Sequence, residues 1–381
     1  MILIRLRLRN YCSLQRAALW IRRYAGGLLP GSWKKRLYWW LFPKGHFMEL
    51  LIDVVGTCNL RCPSCPQGNT GQINPTNLID KDLLEKVIDK AARDFPIEWV
   101  FLYNWGEPFL HPKLSELIRI VKRYPKLKCG ISTNLNLLRN IDDVLLAAPH
   151  EFRISLSGFT QEVYGQTHAR GKIEKVKENM RLLRDAKVRT GNRSTRVVVY
   201  FHKYRHNLHE IEPMRDYALS LGFDWMENWA YYMPVEKALD LAEGRLSSTE
   251  LGFVREQFAL PIEAAIEAAL PYKNEPCRLL KDQIVLDLRG NLLLCCGVFD
   301  FSKNSLGSFL DMTPESFRQA KKHHPTCTSC ASNGLHRYLE YYSHPQLAPL
   351  YDQMATDNVK KASAAQRRLH MLPVVSEPGP H

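Results

Sequence analysis

Between residues 48 and 233, short β-rich runs alternate with stretches whose apolar residues recur at helical spacing. The runs at 50–55, 99–103, 128–133, 152–157, 196–201 and 223–228 read as six strands. Leu83, Leu84, Val87, Ile88 and Ala91 give one helical face, and Leu114, Leu117, Ile118 and Val121 a second. Ile173, Val176, Met180 and Leu183 mark a third helix, and Ile211, Met214, Ala218 and Leu221 a fourth. Strand–helix alternation builds a parallel sheet with its helices outside. Six units are two short of a complete eightfold barrel, so the expected fold is α/β: a partial (β/α)6 TIM-like barrel, open on one side, over 48–233. Residues 234–276 read as a helical bridge. Over 277–345 the pattern changes to a β-hairpin, 284–288 and 292–295 about Arg289-Gly290-Asn291, with a helix near 314–322. This predicts a small C-terminal hairpin/helix domain. Residues 346–381 read as a tail that loses order beyond about 355.

Charge sets residues 1–47 apart. Of the net charge of +13, ten basic side chains and no acid fall within 1–48, so the rest of the chain is close to neutral. Trp20, Trp33, Trp39 and Trp40 accompany them, beside an amphipathic stretch through Leu14, Ala17, Ala18 and Ile21. Two readings stay open: an arm touching a membrane surface peripherally, or one packed on the protein through its Trp residues. The run 37–42 is far too short to span a bilayer, and no cleavable export signal follows the N-terminal charges. The expected location is the cytoplasm.

Most of the ten cysteines fall into two groups with short internal spacings, which in a long chain without an export signal favours metal ligation over disulfides. Cys58, Cys62 and Cys65 form C-x3-C-x2-C in the loop after the first strand. The functional loops of parallel barrels lie at that end of the strands. Three thiolates can hold three corners of an iron–sulfur cubane, leaving one iron open. On spacing alone, zinc with a distant fourth ligand fits comparably well, and the strand-then-loop context favours the cluster.

In this wording and position, Cys-Asn-Leu-Arg-Cys-Pro-Ser-Cys resembles the radical S-adenosylmethionine (radical SAM) enzymes, over roughly residues 48–335. The resemblance implies a [4Fe–4S] cluster on Cys58, Cys62 and Cys65. Its open iron chelates S-adenosylmethionine, which reductive cleavage turns into a hydrogen-abstracting 5′-deoxyadenosyl radical. Trp105-Gly106-Glu107-Pro108 is similar to the family's Gly-Gly-Glu-Pro loop, with Trp105 where the first Gly is usual. Gly106, Glu107 and Pro108 would receive the methionine ammonium. Ser132 and Asn134 belong to a segment similar to the family's Ser-Thr-Asn-Gly, with Leu135 where Gly is common. By the same resemblance Ser155 and Arg170 would hold the methionine carboxylate, which suits a hydroxyl and a fork-shaped guanidinium. Ser157 stands where relatives often carry Asp.

Cys277, Gly290, Cys295 and the Cys327/Cys330 pair resemble the opening of the SPASM extension of that family, in its shortened twitch form, since no cysteine follows Cys330 and His336 replaces one. This implies one auxiliary [4Fe–4S] cluster on Cys277, Cys295, Cys327 and Cys330, with zinc on the same thiols as the alternative. Cys295 is preferred over its neighbour Cys296 on the Gly spacing. Cys129, inside the third strand, is either a hydrogen-atom donor facing the barrel interior or a small buried hydrophobe. His202, His206 and His209 receive no role. The implied activity is that of an oxidoreductase on a carbohydrate- or cyclitol-like small molecule, with flavodoxin or ferredoxin as reductant. A radical SAM epimerase or peptide maturase is the alternative within the family. A non-catalytic cluster protein and a zinc-dependent nucleic-acid binder are alternatives outside it. The charge lies in the arm without a recognised nucleic-acid motif, so no nucleic acid is expected as partner.

Overall fold

The computed structural model describes residues 48–71 and 77–370, with side chains to residue 362. The chain divides into two compact units, Met1–Phe47 and Met48–His381. The expectations for the basic, Trp-rich arm lie outside the described residues.

Six parallel strands run in chain order: β1 (Met48–Ile52), β2 (Ile97–Phe101), β3 (Lys128–Thr133), β4 (Glu151–Leu156), β5 (Arg196–Lys203) and β6 (Asp224–Trp229). Period-two alternation splits their side chains between two faces. Leu50, Ile52, Val100, Cys129, Ile131, Phe152, Ile154 and Val199 pack on the helices outside. Those helices include α1 (Lys81–Asp94), α2 (Leu114–Lys122), α3 (Ile141–Leu146), α4 (Ile173–Arg189) and α5 (Ile211–Ser220). Asp80 caps α1 by accepting from the Leu83 N–H at 2.9 Å. Cys129 thus belongs to the helix-side core, and not to the barrel interior where a hydrogen donor would have to stand.

The sheet is an open partial barrel, and it does not stop at β1. Strand β7 (Gln283–Leu286) pairs with β1 in parallel, Glu49 opposite Gln283. It turns back into β8 (Asn291–Leu293), which pairs antiparallel with β9 (Ser305–Ser308). All nine strands form one sheet, ordered β6-β5-β4-β3-β2-β1-β7-β8-β9. The hairpin expected from the sequence is present, with Gly290 at φ 77 where its turn needs the left-handed region. Asp287 accepts the Arg289 and Asn291 N–H groups, each at 2.8 Å. Helices α6 (Pro314–Lys322) and α7 (Pro325–Ser332) follow.

Helical order continues past 355, and the expected disorder of the Pro-rich end lies outside the described residues. Helix α8 spans Leu347–His370. Leu347, Tyr351 and Ala355, spaced one turn apart, are fully buried on it, so a short apolar stripe anchors an otherwise polar helix. Asp352 on the same helix accepts from the Trp229 indole at the end of β6, 2.7 Å away. No helix among the described residues is long and apolar enough to cross a membrane.

Candidate functional site

The loop carrying Cys58, Cys62 and Cys65 leaves β1 at its C-terminal end and is fastened to its surroundings by backbone bonds. Gly56 N–H donates to Asn77 O at 2.9 Å, and Arg61 N–H to Ala169 O at 3.1 Å. The Arg61 guanidinium folds back on Cys58 O at 2.6 Å and Leu60 O at 2.7 Å. Ser64 bonds the Tyr204 hydroxyl at 2.6 Å, tying the loop to the end of β5. Cys65 leads into the short helix Pro66–Asn69. There Gly68 is compulsory, because a Cβ would lie 2.3 Å from Cys62 O.

The three thiols are free; Cys65 acts electrostatically on Cys58 and Cys62, and Cys58 on Cys62. Burial first, then the Glu107 charge, pushes Cys58 up to about 12. Burial pushes Cys65 up to about 11 and, with the neighbouring thiols, raises Cys62. Thiols this reluctant to ionise need a cation to hold them as thiolates. Among the described residues no three His, Cys, Asp or Glu side chains converge tightly enough to hold a single metal ion. Three soft thiolate donors in one loop suit a cubane, which takes one thiolate at each of three iron corners.

The second strand's loop meets this one at Gly106, whose Cβ would lie only 1.8 Å from Val55 O. Asp53, buried just past β1, holds it there. One carboxylate oxygen accepts the backbone N–H groups of Asn104, Trp105 and Gly106 at 3.1, 2.8 and 3.0 Å. Desolvation pushes Asp53 up to about 6, against the pull of those three donors. Trp105, unusual for the loop, keeps its backbone bond and sends its indole away to donate to Val298 O at 2.9 Å.

Glu107 is buried and caps the turn Pro108–Leu110 by accepting from Phe109 N–H. It also accepts from the Thr133 hydroxyl at 2.7 Å and Asn134 N–H at 2.9 Å. Burial drives its carboxyl up to about 7. Asn134 donates to Asn59 Oδ1 at 2.9 Å and to Cys58 Sγ at 3.5 Å. Leu135 takes φ 55, a left-handed position where glycine is the easy choice. Ser132 and Ser155 share a hydrogen bond of 3.1 Å across β3 and β4. Glu107, Thr133, Asn134 and Cys58 therefore form one connected group, with the serine pair on adjacent strands. Arg170 is exposed, at φ 73, in the loop whose Ala169 carbonyl meets Arg61. The structure does not bring its side chain onto Ser155. Asp53 and Thr133 went unrecognised in the sequence. Asp53 had a signal, as the lone acid in the apolar run Leu50-Leu51-Ile52-Asp53-Val54-Val55.

The thiols of the second cysteine group lie close enough to act on one another electrostatically. Cys277 precedes the short helix Arg278–Asp282, and Cys295 follows β8. Cys327 and Cys330 lie three apart on one face of α7. After burial, the influences raising Cys330 are Cys295, Cys277, Cys327 and Glu340, in that order. Cys296 is not among those influences; the charges acting on it are Cys295, then Glu49 and Lys321, and its own charge is felt by Tyr231 and Tyr342. Glu340 accepts from the Cys277 thiol at 3.3 Å and from Arg278 and Leu279 N–H. His336 bonds Glu275 O at 2.9 Å through Nε2.

Residues 52–218 match the family model of the radical SAM superfamily. Over those residues the chain belongs to that superfamily, which implies S-adenosylmethionine and a [4Fe–4S] cluster. A curated relative, the tungsten-containing aldehyde ferredoxin oxidoreductase cofactor-modifying protein of Pyrococcus furiosus, is 26% identical over 186 residues, 46% of this chain and 49% of its own. GTP 3′,8-cyclase of Chlorobaculum tepidum is 30% identical over 129 residues, 33% of this chain and 37% of its own. The chain thus spans about half the length of the first and less of the second. Among solved structures, Streptococcus suis SuiB bound to S-adenosylmethionine shares the fold, with a TM-score of 0.50 at 13% identity over 85% of this chain and 82% of that one.

Proposed function

We propose that this radical SAM enzyme oxidises a polyhydroxylated, carbohydrate- or cyclitol-like substrate, with one cluster on Cys58, Cys62 and Cys65 and an auxiliary one on Cys277, Cys295, Cys327 and Cys330. The electrostatic coupling of the four C-terminal thiols, with Cys295 at the end of a hairpin that continues the barrel sheet, carries this reading. Glu107, the carbonyls around Gly106 and Pro108, Ser132 with Ser155, and Asn134 would hold the methionine end of S-adenosylmethionine, with Arg170 reaching its carboxylate from the adjoining loop. Bound there, the cluster and S-adenosylmethionine would supply hydrogen-abstracting radical chemistry at a substrate carbon. A second cluster would supply the acceptor for the electron left on that carbon once its proton departs.

The chain's own contribution is a polar interior. Alternation places Glu49, Tyr103, Arg153, Tyr200 and His202 on the face opposite the helix-side core. Arg153 donates to the Tyr103 hydroxyl at 2.7 Å and lies over the rings of Phe101 and Tyr200. Such a wall offers donors and acceptors to hydroxyl groups. Glu49 and His202, the latter lowered to about 4 by burial and so neutral, can receive the departing proton. Flavodoxin or ferredoxin would serve as reductant.

Cys296 favours a second reading, an epimerase, because this thiol lies beside Glu49 of the barrel interior whereas Cys129 faces the helices. Product analysis in deuterated water separates the two: an epimerase returns a solvent-derived hydrogen, and a dehydrogenase leaves an oxidised carbon.

The test is anaerobic reconstitution of the full chain, counting iron and sulfide, followed by 5′-deoxyadenosine formation with dithionite. About eight irons with cleavage are expected. Cys58→Ala, Cys62→Ala or Cys65→Ala should abolish cleavage, and Cys327→Ala should remove about four irons while leaving it. About four irons in the parent would sink the auxiliary cluster.

A further inference from the structure

Near the end of helix α6, Lys321 has no carboxylate partner among the described residues. Lys321 is 2% exposed. Its Nζ donates to Gln283 O at 2.9 Å and lies 4.5 Å from the centroid of the Phe317 ring. The ionisable groups acting on it most strongly are all thiols: Cys295, Cys327, Cys277 and Cys296. The acids acting on Cys277, Cys295 and Cys330, namely Glu340 and Glu236, are committed elsewhere. Glu340 takes Arg278 N–H, Leu279 N–H and the Cys277 thiol, and Glu236 takes Phe299 N–H, Asp300 N–H and the Asn304 amide.

Burying an ammonium without a counter-charge costs several kcal/mol. Its geometry therefore calls for an anion on the four thiols. A thiolate-ligated [4Fe–4S] cluster is such an anion, and it gains one more negative charge on reduction. A fixed cation at close range favours the more negative state. We propose that Lys321 is the charge-compensating positioning residue of the cluster on Cys277, Cys295, Cys327 and Cys330, and that it raises that cluster's reduction potential. This rests on the auxiliary-cluster reading. It adds that the site is built to accept an electron.

The test uses the full chain carrying Cys58→Ala, Cys62→Ala and Cys65→Ala together, so that only the C-terminal site is read. After anaerobic reconstitution, iron is counted and the cluster is titrated electrochemically with EPR detection. The background should hold about four irons. Adding Lys321→Met should keep them and move the midpoint negative. At the background's own midpoint the reduced-to-oxidised ratio should fall about tenfold, which is about 59 mV for one electron. Lys321→Arg, which keeps the charge, should stay near the background. Lys321→Gln is read in parallel in case the apolar side chain does not fold. Iron retained with an unmoved midpoint in the neutral variants overturns the role of Lys321 alone. No iron in the background overturns the auxiliary-cluster reading beneath it.

Discussion

Asp53 carries more of the site than its chemistry advertises. One oxygen receives three consecutive backbone N–H groups, so it sets the conformation of the loop that presents Gly106 and Glu107. Asp53→Ala leaves those donors buried without an acceptor, at about 1–3 kcal/mol each when fully desolvated. We expect a stability loss of about 3 kcal/mol by denaturant titration and at least a tenfold weaker affinity for S-adenosylmethionine by equilibrium dialysis. Asp53→Asn keeps an acceptor oxygen and should lose much less of both. Equal damage from the two variants would mean that charge, not acceptance, does the holding. The residues that bear chemistry by type were legible in the sequence: three thiols at fixed spacing and a Gly-Glu-Pro beyond the next strand. Asp53 was harder to read because its partners lie some fifty residues away, and Thr133 because a strand threonine is ordinary until Glu107 is folded against it.

At the scale of elements, the strands were readable from their apolar runs and the main helices from their stripes. Helix α3 was not, because six residues give too little periodicity. Helix α8 was not, because its apolar stripe is narrow among charges. The joint between β3 and β4 holds a polar device that no pattern reveals. His150 Nδ1 accepts the Cys129 N–H at 3.0 Å, while Lys122 contacts its other nitrogen at 3.4 Å. Desolvation first, then Lys122 and Lys128, lowers its pKa from 6.5 to about 4. Below pH 6.5 the unfolded chain protonates this ring and the folded chain resists until about 4. The stability it contributes is therefore present above the unfolded value and lost as pH falls through that window. His150→Gln should be less stable than the parent at pH 7, and its deficit should shrink toward pH 4.5. Denaturation midpoints of both proteins across that range decide it. A deficit constant with pH would show that His150 titrates alike in both states.

Across the whole molecule, the sequence suggested a barrel with a separate appendage, and the structure joins them twice. Strand β7 extends the barrel sheet from β1, and α8 bonds Trp229 at the opposite edge while packing among the C-terminal helices. Neither link can be read from local pattern, since strand pairing across more than two hundred residues leaves no periodic trace. The consequence is shared stability. Tyr351 is fully buried on α8, and its hydroxyl donates to Ala265 O. Tyr351→Ala should cost about 3 kcal/mol, the range for emptying a buried aromatic site. If the C-terminal region were an independent domain, that loss would speed amide exchange only there. One sheet predicts otherwise. In hydrogen exchange followed by mass spectrometry, peptides covering 48–52 and 283–286 should share the same high protection in the parent, because each strand supplies the other's bonds. In Tyr351→Ala both should lose protection together. Exchange of 283–286 rising alone would mean that the thiol-bearing hairpin opens without the barrel. The continuity of the sheet would then be geometric, and would not hold the four C-terminal thiols in register with the radical site.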